Sequence, residues 1–140
     1  MRILQYLLSQ RNNQADWSLL IIRVTLGAFM VHHGLGKLLN FEQYSTQFPD
    51  PIGLGPFLSL TLVVIAEFFG GIAVMLGLLT RFFLFLMIIT MAVALFIVHA
   101  SDPFNVKELA AVFLLIASGL FISGAGKYAI DSLILKAIKK

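Results

Sequence analysis

Four long apolar stretches dominate the pattern of hydrophobic and polar positions along the chain. A helix needs about 20 apolar residues to cross about 30 Å of hydrocarbon, and each stretch is close to that length. Pro56 opens the second stretch and suits a first helical position, where its missing N–H has no partner to lose. The pattern predicts an all-α integral membrane bundle of four transmembrane helices. Its spans are expected at residues 17–39, 56–79, 82–100 and 106–123.

The two ends of the chain have a different pattern. Residues 1–11 are too short to span a membrane and lack a small-residue cleavage site, so we expect an amphipathic interfacial segment and no signal peptide. After Lys127, apolar residues recur at three- and four-residue spacing with charged residues on the other side. This spacing predicts an amphipathic interfacial helix over residues 127–140. Residues 1–140 are therefore expected to form a single membrane domain.

Composition supports the bilayer as the solvent. Apolar residues make up 59% of the chain and charged residues 12%, whereas a soluble domain has about half and about a quarter. A water-exposed surface built from so few charges would have large apolar patches. The chain has no cysteine, which excludes disulfides, thiolate metal ligands and thiol redox chemistry by its own residues.

The distribution of basic residues predicts the orientation in the membrane. If both termini are on one side, that side holds Arg2, Arg11, Arg81, Lys127, Lys136, Lys139 and Lys140. The first connecting loop holds Glu42 and Asp50 and no basic residue. Cytoplasmic flanks carry the excess of Lys and Arg, so we expect both termini in the cytoplasm. The basic charge then serves membrane anchoring, the lipid bilayer is the main partner, and no nucleic-acid partner is expected.

Ionisable side chains inside the spans are the candidates for function. Burial in hydrocarbon is costly for such groups, and they usually face the bundle interior. The candidates for a buried polar site are Arg23, His33, Lys37, Glu67, His99 and Glu108. None of them is assigned a catalytic role.

Helical geometry places some of these residues on one face of the first helix. At about 100° per residue, Arg23, Gly27, Gly34 and Lys37 lie within about 40° of one line. His33 lies at the edge of this face and its neighbour His32 on the opposite side. Glycines on such a face let neighbouring helices approach closely. We expect close helix packing at Gly27, Gly34, Gly70 and Gly71.

Depth suggests a partner for the buried carboxylate. Glu67 lies 11 residues into the second stretch, about 16 Å deep at the helical rise and close to the membrane midplane. We expect an ion pair between Glu67 and Arg23. The other candidates fall near the outer end, where they would form a polar, proton-exchanging mouth that leads inward to Glu67.

Structural interpretations compete with these functional ones. A buried ion pair can simply fix the register of two helices, and Lys37 near a span end can extend to the membrane surface. His32 is interpreted as a packing or interfacial histidine. His33 and His99 on two helices are weak evidence for a haem or metal, so no metal site is predicted and a haem is disfavoured.

The polar and glycine motifs follow a defined order along the chain. They are Arg23, HHGLGK at residues 32–37, Glu67 with Gly70 and Gly71, Gly77 with Thr80 and Arg81, His99, Lys107 with Glu108, and Gly124, Gly126 and Asp131. This order and spacing resembles the DoxX family of small bacterial membrane proteins over residues 19–132. The resemblance implies a protein of the bacterial cytoplasmic (inner) membrane. The family in turn resembles the small membrane subunit of an archaeal thiosulfate:quinone oxidoreductase, which implies a quinone-linked or oxidative-stress role with redox partner proteins.

Three functional hypotheses remain at this point. The first is a membrane subunit of a redox system, with Arg23, His33, Lys37 and Glu67 lining a site for a quinone or another small redox-active molecule. The second is a non-catalytic scaffold that holds partner proteins at the membrane. The third is a small transporter or proton-conducting bundle, in which the same charges mark a passage and a homo-oligomer completes the narrow core.

Overall fold

The computed structural model describes residues 12–138, which form helices and turns without a strand. The α-helices are α1 (Asn12–Leu39), α2 (Phe41–Tyr44), α3 (Pro56–Val64), α4 (Gly70–Leu76), α5 (Thr80–Val93), α6 (Phe104–Ser123) and α7 (Ile130–Ile138). A π-helical segment, Ile65–Phe69, joins α3 to α4 without a break, and a second one, Ala94–Val98, extends α5. The predicted interfacial segment at residues 1–11 lies outside the described residues.

Four helical stretches are long and apolar enough to cross a membrane. We call them the first to fourth spans; they are Gln14–Leu39, Pro56–Leu76, Thr80–Val98 and Phe104–Ser123. Their ends lie within three residues of the predicted ones. The predicted all-α, four-helix membrane bundle is confirmed.

Successive spans run in opposite directions, which gives the bundle two distinct ends. The terminal end holds the start of α1, the turn between the second and third spans, and α7. The loop end holds residues 40–55 and the turn between the third and fourth spans. The first span packs mainly on the second, and the third on the fourth. The shared core consists mainly of Leu26, Met30, Val74, Leu84, Met87, Met91, Phe113, Ala117 and Leu120.

Glycines bring the first and second spans into close contact. A Cβ atom at Gly34 would lie 2.8 Å from the Cα atom of Phe68, and one at Gly71 would lie 2.8 Å from the carbonyl oxygen of Gly27. Real side chains do not approach backbone atoms that closely, so these positions require glycine. The contacts fix the register of the two antiparallel helices, with Gly27 facing Gly71 and Gly34 facing Phe68.

The C-terminal helix α7 is amphipathic and begins three residues later than the pattern predicted. Its apolar side chains Leu133, Ile134 and Ile138 are exposed. Exposed apolar residues on one side of a helix, with Lys136 turned away from them, are typical of a helix that lies in the plane of a membrane surface. Asp131 faces the start of α5 instead.

Candidate functional site

A cavity of about 200 Å³ lies between the spans at the loop end. We call it the loop-end cavity. Its polar lining consists of His33 and Lys37 from the first span, Glu67 from the second, and His99 at the end of the third. The fourth span contributes only apolar side chains, including Phe113. The structure therefore brings four of the six candidate residues to one site.

Lys37 and Glu67 form the ion pair of this cavity. The Lys37 Nζ atom donates a hydrogen bond to the Glu67 Oε2 atom. The Glu67 side chain is 5% exposed and that of Lys37 is 25% exposed, so the carboxylate is buried while the ammonium group reaches it from the cavity. Burial of a single charge would be strongly unfavourable, and the partner offsets that cost.

Two π-helical segments border the loop-end cavity. Glu67 lies within the first of them, and Ala94, which also lines the cavity, begins the second. A π-turn widens the helix locally and shifts the direction of the side chains that follow, and such turns are frequent at functional sites. Reasoning from apolar periodicity did not predict these segments, because both are continuous with ordinary α-helix in the sequence pattern.

His33 lines the loop-end cavity, whereas its neighbour His32 does not. The His33 ring lies edge-on to the Phe113 ring, with 5.7 Å between centroids, whereas His32 is exposed. At the rim, the His99 Nδ1 atom lies 2.7 Å from the Asp102 Oδ2 atom. Asp102 was missed by the sequence analysis, although its three-residue spacing from His99 could have suggested it. A carboxylate partner orients the imidazole ring.

The predicted ion pair between Arg23 and Glu67 is wrong. Arg23 is 1% exposed, and its guanidinium group donates hydrogen bonds to the carbonyl oxygens of Val74 and Met75, at 2.9 Å each, and of Tyr128, at 2.8 Å. The glycine contacts set the register that causes this. They place Arg23 opposite α4, so that Glu67 lies about two turns of helix away from it, nearer the loop end of the second span.

Arg23 instead belongs to a cluster at the terminal end. The Asp131 carboxylate accepts hydrogen bonds from the backbone N–H groups of Leu79 and Thr80, at 2.8 and 2.9 Å, and so caps the start of α5 from a distant part of the chain. Gly77 has a left-handed conformation (φ 71°) and accepts a bond from the Asp131 N–H. We call Arg23, Gly77, Thr80 and Asp131 the terminal cluster.

The Asp131 carboxyl is partly buried, which raises its pKa, but the hydrogen bonds from Thr80 and Leu79 and the nearby Arg23 charge together hold the pKa below its usual range. The charged form is the one that these donors stabilise. The terminal cluster therefore ties the first span, the turn before the third span and the start of α7 together. These hydrogen bonds give the motif residues Arg23, Gly77, Thr80 and Asp131 a structural role.

Glu108 is also placed differently from the prediction. It is exposed and does not line the loop-end cavity, because it lies on the outer side of the first turns of α6. Its neighbour Lys107 donates a hydrogen bond to the Ala100 carbonyl oxygen, at 3.0 Å. Between residues 12 and 138, no three His, Asp or Glu side chains come close enough together to hold a metal ion.

The loop-end cavity combines an ammonium group, two imidazoles and a buried carboxylate. Ammonium and imidazole groups can donate hydrogen bonds to a carbonyl oxygen, and the carboxylate can hold or release a proton beside it. The third and fourth spans close the cavity with apolar walls. Fold and site together define an integral membrane protein with a small, partly polar cavity near one end of its helical bundle.

Comparison with known proteins names the family. The DoxX family model matches residues 18–100, which include most of the first span, all of the second and third, Arg23 and the polar lining of the loop-end cavity. The chain belongs to the DoxX family.

Curated relatives agree over most of the chain. It is 32% identical over 126 residues to the Inner membrane protein YqjF of Escherichia coli (strain K12), covering 86% of this chain and 95% of that protein. It is 31% identical over 129 residues to the Putative oxidoreductase CatD of Bacillus subtilis (strain 168), covering 91% of this chain and 95% of that protein. No solved structure matches the chain.

Proposed function

We propose that this protein is a membrane subunit of a redox system in the bacterial inner membrane, and that its loop-end cavity binds the ring of a quinone. The single observation that carries the proposal is the meeting of His33, Lys37 and Glu67 around one cavity. The relative named as an oxidoreductase and the one named as an inner membrane protein support it.

The cavity suits a ring of this kind in size and chemistry. Its volume of about 200 Å³ is below the roughly 300–1,000 Å³ of sites for drug-sized ligands, so it accepts one ring. Lys37 and His33 would donate hydrogen bonds to the carbonyl oxygens, and Glu67 would exchange the proton that accompanies reduction. A bound quinone accepts electrons and protons, and we assign the supply of electrons to a redox partner protein.

We also propose that both termini lie in the cytoplasm. Arg81, Lys127 and Lys136 are at the terminal end, whereas the loop between the first and second spans has no basic residue. The excess of basic residues marks the cytoplasmic side. The loop-end cavity then opens near the outer surface, with His99 and Asp102 at its rim.

Quinone binding tests the proposal. The protein is purified with native lipid, and one portion is extracted with organic solvent to detect quinones. The thermal unfolding of another portion is measured with and without a tail-less dimethoxybenzoquinone. We expect co-purified quinone and a higher unfolding temperature on addition of the ring. Glu67→Gln should abolish that increase, whereas Glu108→Gln, which removes an exposed carboxylate outside the cavity, should retain it.

Other outcomes would favour the alternatives. Absence of extracted quinone together with an unchanged unfolding temperature would contradict the proposal, as would an equal effect in Glu67→Gln and the wild type. Proton flux in proteoliposomes that disappears in Glu67→Gln, without any response to quinone, would indicate a transporter.

A further inference from the structure

A second, apolar depression lies between the first and fourth spans. Its volume is about 310 Å³, and we call it the lateral groove. The residues that line it are Ile21, Ile22, Thr25, Leu26, Phe29, Leu109, Val112, Phe113 and Ile116. Thr25 is the only polar residue among them. The groove lies within the hydrocarbon-spanning part of both helices and well away from their ends.

The lateral groove is open on its outer side. Ile22 and Val112, which form its two walls, are 43% and 47% exposed, whereas Leu26 at its floor is 1% exposed. In a membrane-spanning bundle this exposure is toward lipid. The groove therefore accepts an apolar chain from the bilayer without displacing water or leaving a polar group unpaired.

The lateral groove adjoins the loop-end cavity. Leu109 and Phe113 line both of them. The Phe113 ring stands at the junction, with its centroid 6.1 Å from that of Phe29 in the groove and 5.7 Å from that of His33 in the cavity. A polar compartment and an apolar one thus share a wall formed by a single aromatic side chain and Leu109.

We propose that the ligand of the loop-end cavity carries a long apolar tail, alkyl or isoprenoid, that lies in the lateral groove, so that the ligand enters from the bilayer. This inference rests on the proposed function and names the class of substrate as membrane-soluble. The groove extends about 12 Å along the first span from Ile21 to Phe29 at the helical rise, enough for part of such a tail.

A ring with a tail matches both compartments at once. The ring occupies the space beside Lys37 and Glu67, where its carbonyl oxygens find donors, and the tail passes Phe113 into the groove. A phospholipid does not match in the same way, because the Glu67 carboxylate in the loop-end cavity would repel its phosphate, and a volume of about 200 Å³ holds one ring.

Selective loss of tail recognition tests the inference. The full-length protein in lipid nanodiscs is titrated with a dimethoxybenzoquinone that has no tail and with the same ring bearing a decyl tail, and bound ligand is measured by its absorbance after separation. The groove is filled with the double variant Thr25→Phe and Val112→Phe. The matched control, Val24→Phe with Leu115→Phe, adds the same rings at exposed positions outside the groove.

We expect the groove variant to bind the decyl compound about tenfold more weakly than the wild type, and the tail-less ring within about twofold of it. The control should bind both compounds as the wild type does. Partition of the decyl compound into lipid is the same for all variants and cancels from the comparison. Ile21→Phe, at the exposed far end of the groove, provides a second variant if the double variant does not fold.

Each contrary outcome has one meaning. If the groove variant binds both compounds as the wild type does, or loses both equally, the tail does not lie in the groove and the inference is overturned, while the proposed quinone site stands. If the wild type binds neither compound, the proposed function fails and the inference fails with it.

Discussion

Buried charges in this protein are satisfied in two different ways. Arg23 donates only to backbone carbonyl oxygens, and its role is to hold elements together. Glu67 has a side-chain partner, Lys37, that is itself partly exposed to a cavity. An amine on a flexible stem can leave a carboxylate and return to it, whereas a guanidinium group bonded to three carbonyls has no such freedom. Of the two buried charges, Glu67 is therefore the one whose partner can move away and leave it free to bind another group.

The Lys37–Glu67 pair predicts strongly non-additive effects on stability. Lys37→Met leaves a buried carboxylate without its partner, and we expect it to destabilise the fold by about 3 kcal/mol. Lys37→Met combined with Glu67→Gln removes both charges and should cost clearly less than Lys37→Met alone. Thermal unfolding in detergent measures the stability of the single and the double variant, with Glu108→Gln as a neutral control. Additive losses would show that the two side chains do not interact.

The packing of the first span against the second depends on where glycines occur within the first span. Gly34 lies against the Phe68 backbone, whereas nothing lies within 4 Å of a Cβ atom at Gly36. The two residues are two positions apart in the same helix and differ only in what they face. This pair offers a direct comparison of packing with helix propensity.

Gly34→Ala should destabilise the bundle by about 1–3 kcal/mol, because the backbone of the second span must move away. Gly36→Ala should be neutral or stabilising by up to about 1 kcal/mol, since alanine favours the helix and meets nothing. Unfolding temperatures of the two variants, measured in the same detergent, check the prediction. A loss of similar size in both would contradict the close approach of the spans.

Two aspartates organise the starts of helices. Asp131 caps α5, and Asp50 accepts hydrogen bonds from the N–H groups of Leu54 and Gly55, just before α3, and from the Ser59 hydroxyl in its first turn. The bond from Gly55 is the main reason that the pKa of Asp50 is lowered. Each cap fixes the direction in which a span enters the bundle.

Asp131→Asn should reduce stability by about 1 kcal/mol at neutral pH, because the amide has one acceptor oxygen for the two N–H groups and lacks the negative charge. Because the folded pKa of Asp131 lies below the roughly 3.9 of an unfolded aspartate, its contribution is complete above that value and is lost as the pH falls through the folded pKa. The difference between wild type and variant should therefore be constant from about pH 5 to 7 and shrink below about pH 4.

Unfolding free energies across this pH range check the prediction. Asp50 is present in both proteins and cancels from the difference. A difference that stays constant down to about pH 3 would show that the charge of Asp131 is not what caps α5.

The whole molecule separates its tasks between its two ends. The terminal end holds the terminal cluster, the amphipathic helix α7 and the basic residues Arg81, Lys127 and Lys136. The loop end holds the cavity with His33, Lys37, Glu67 and His99. Because of this asymmetry, the orientation of the molecule decides toward which membrane surface the loop-end cavity lies.

Orientation is directly measurable because the chain has no cysteine of its own. We expect Gln43→Cys, in the loop-end segment, to react with a membrane-impermeant thiol reagent in intact bacterial cells. Lys136→Cys, in α7, should react only after the membrane is permeabilised. The reverse labelling pattern would place the termini outside and the loop-end cavity on the cytoplasmic side.

The four membrane helices and the face of the first one that carries Lys37 and the glycines could be predicted from the sequence. Both follow from local properties, the length of apolar stretches and the angle per residue in a helix. The partners could not be predicted in this way: the folded bundle pairs Glu67 with Lys37, bonds Arg23 to backbone carbonyls and places π-turns beside the cavity. Partners depend on the register between two helices, and that register is fixed by contacts between residues far apart in the chain.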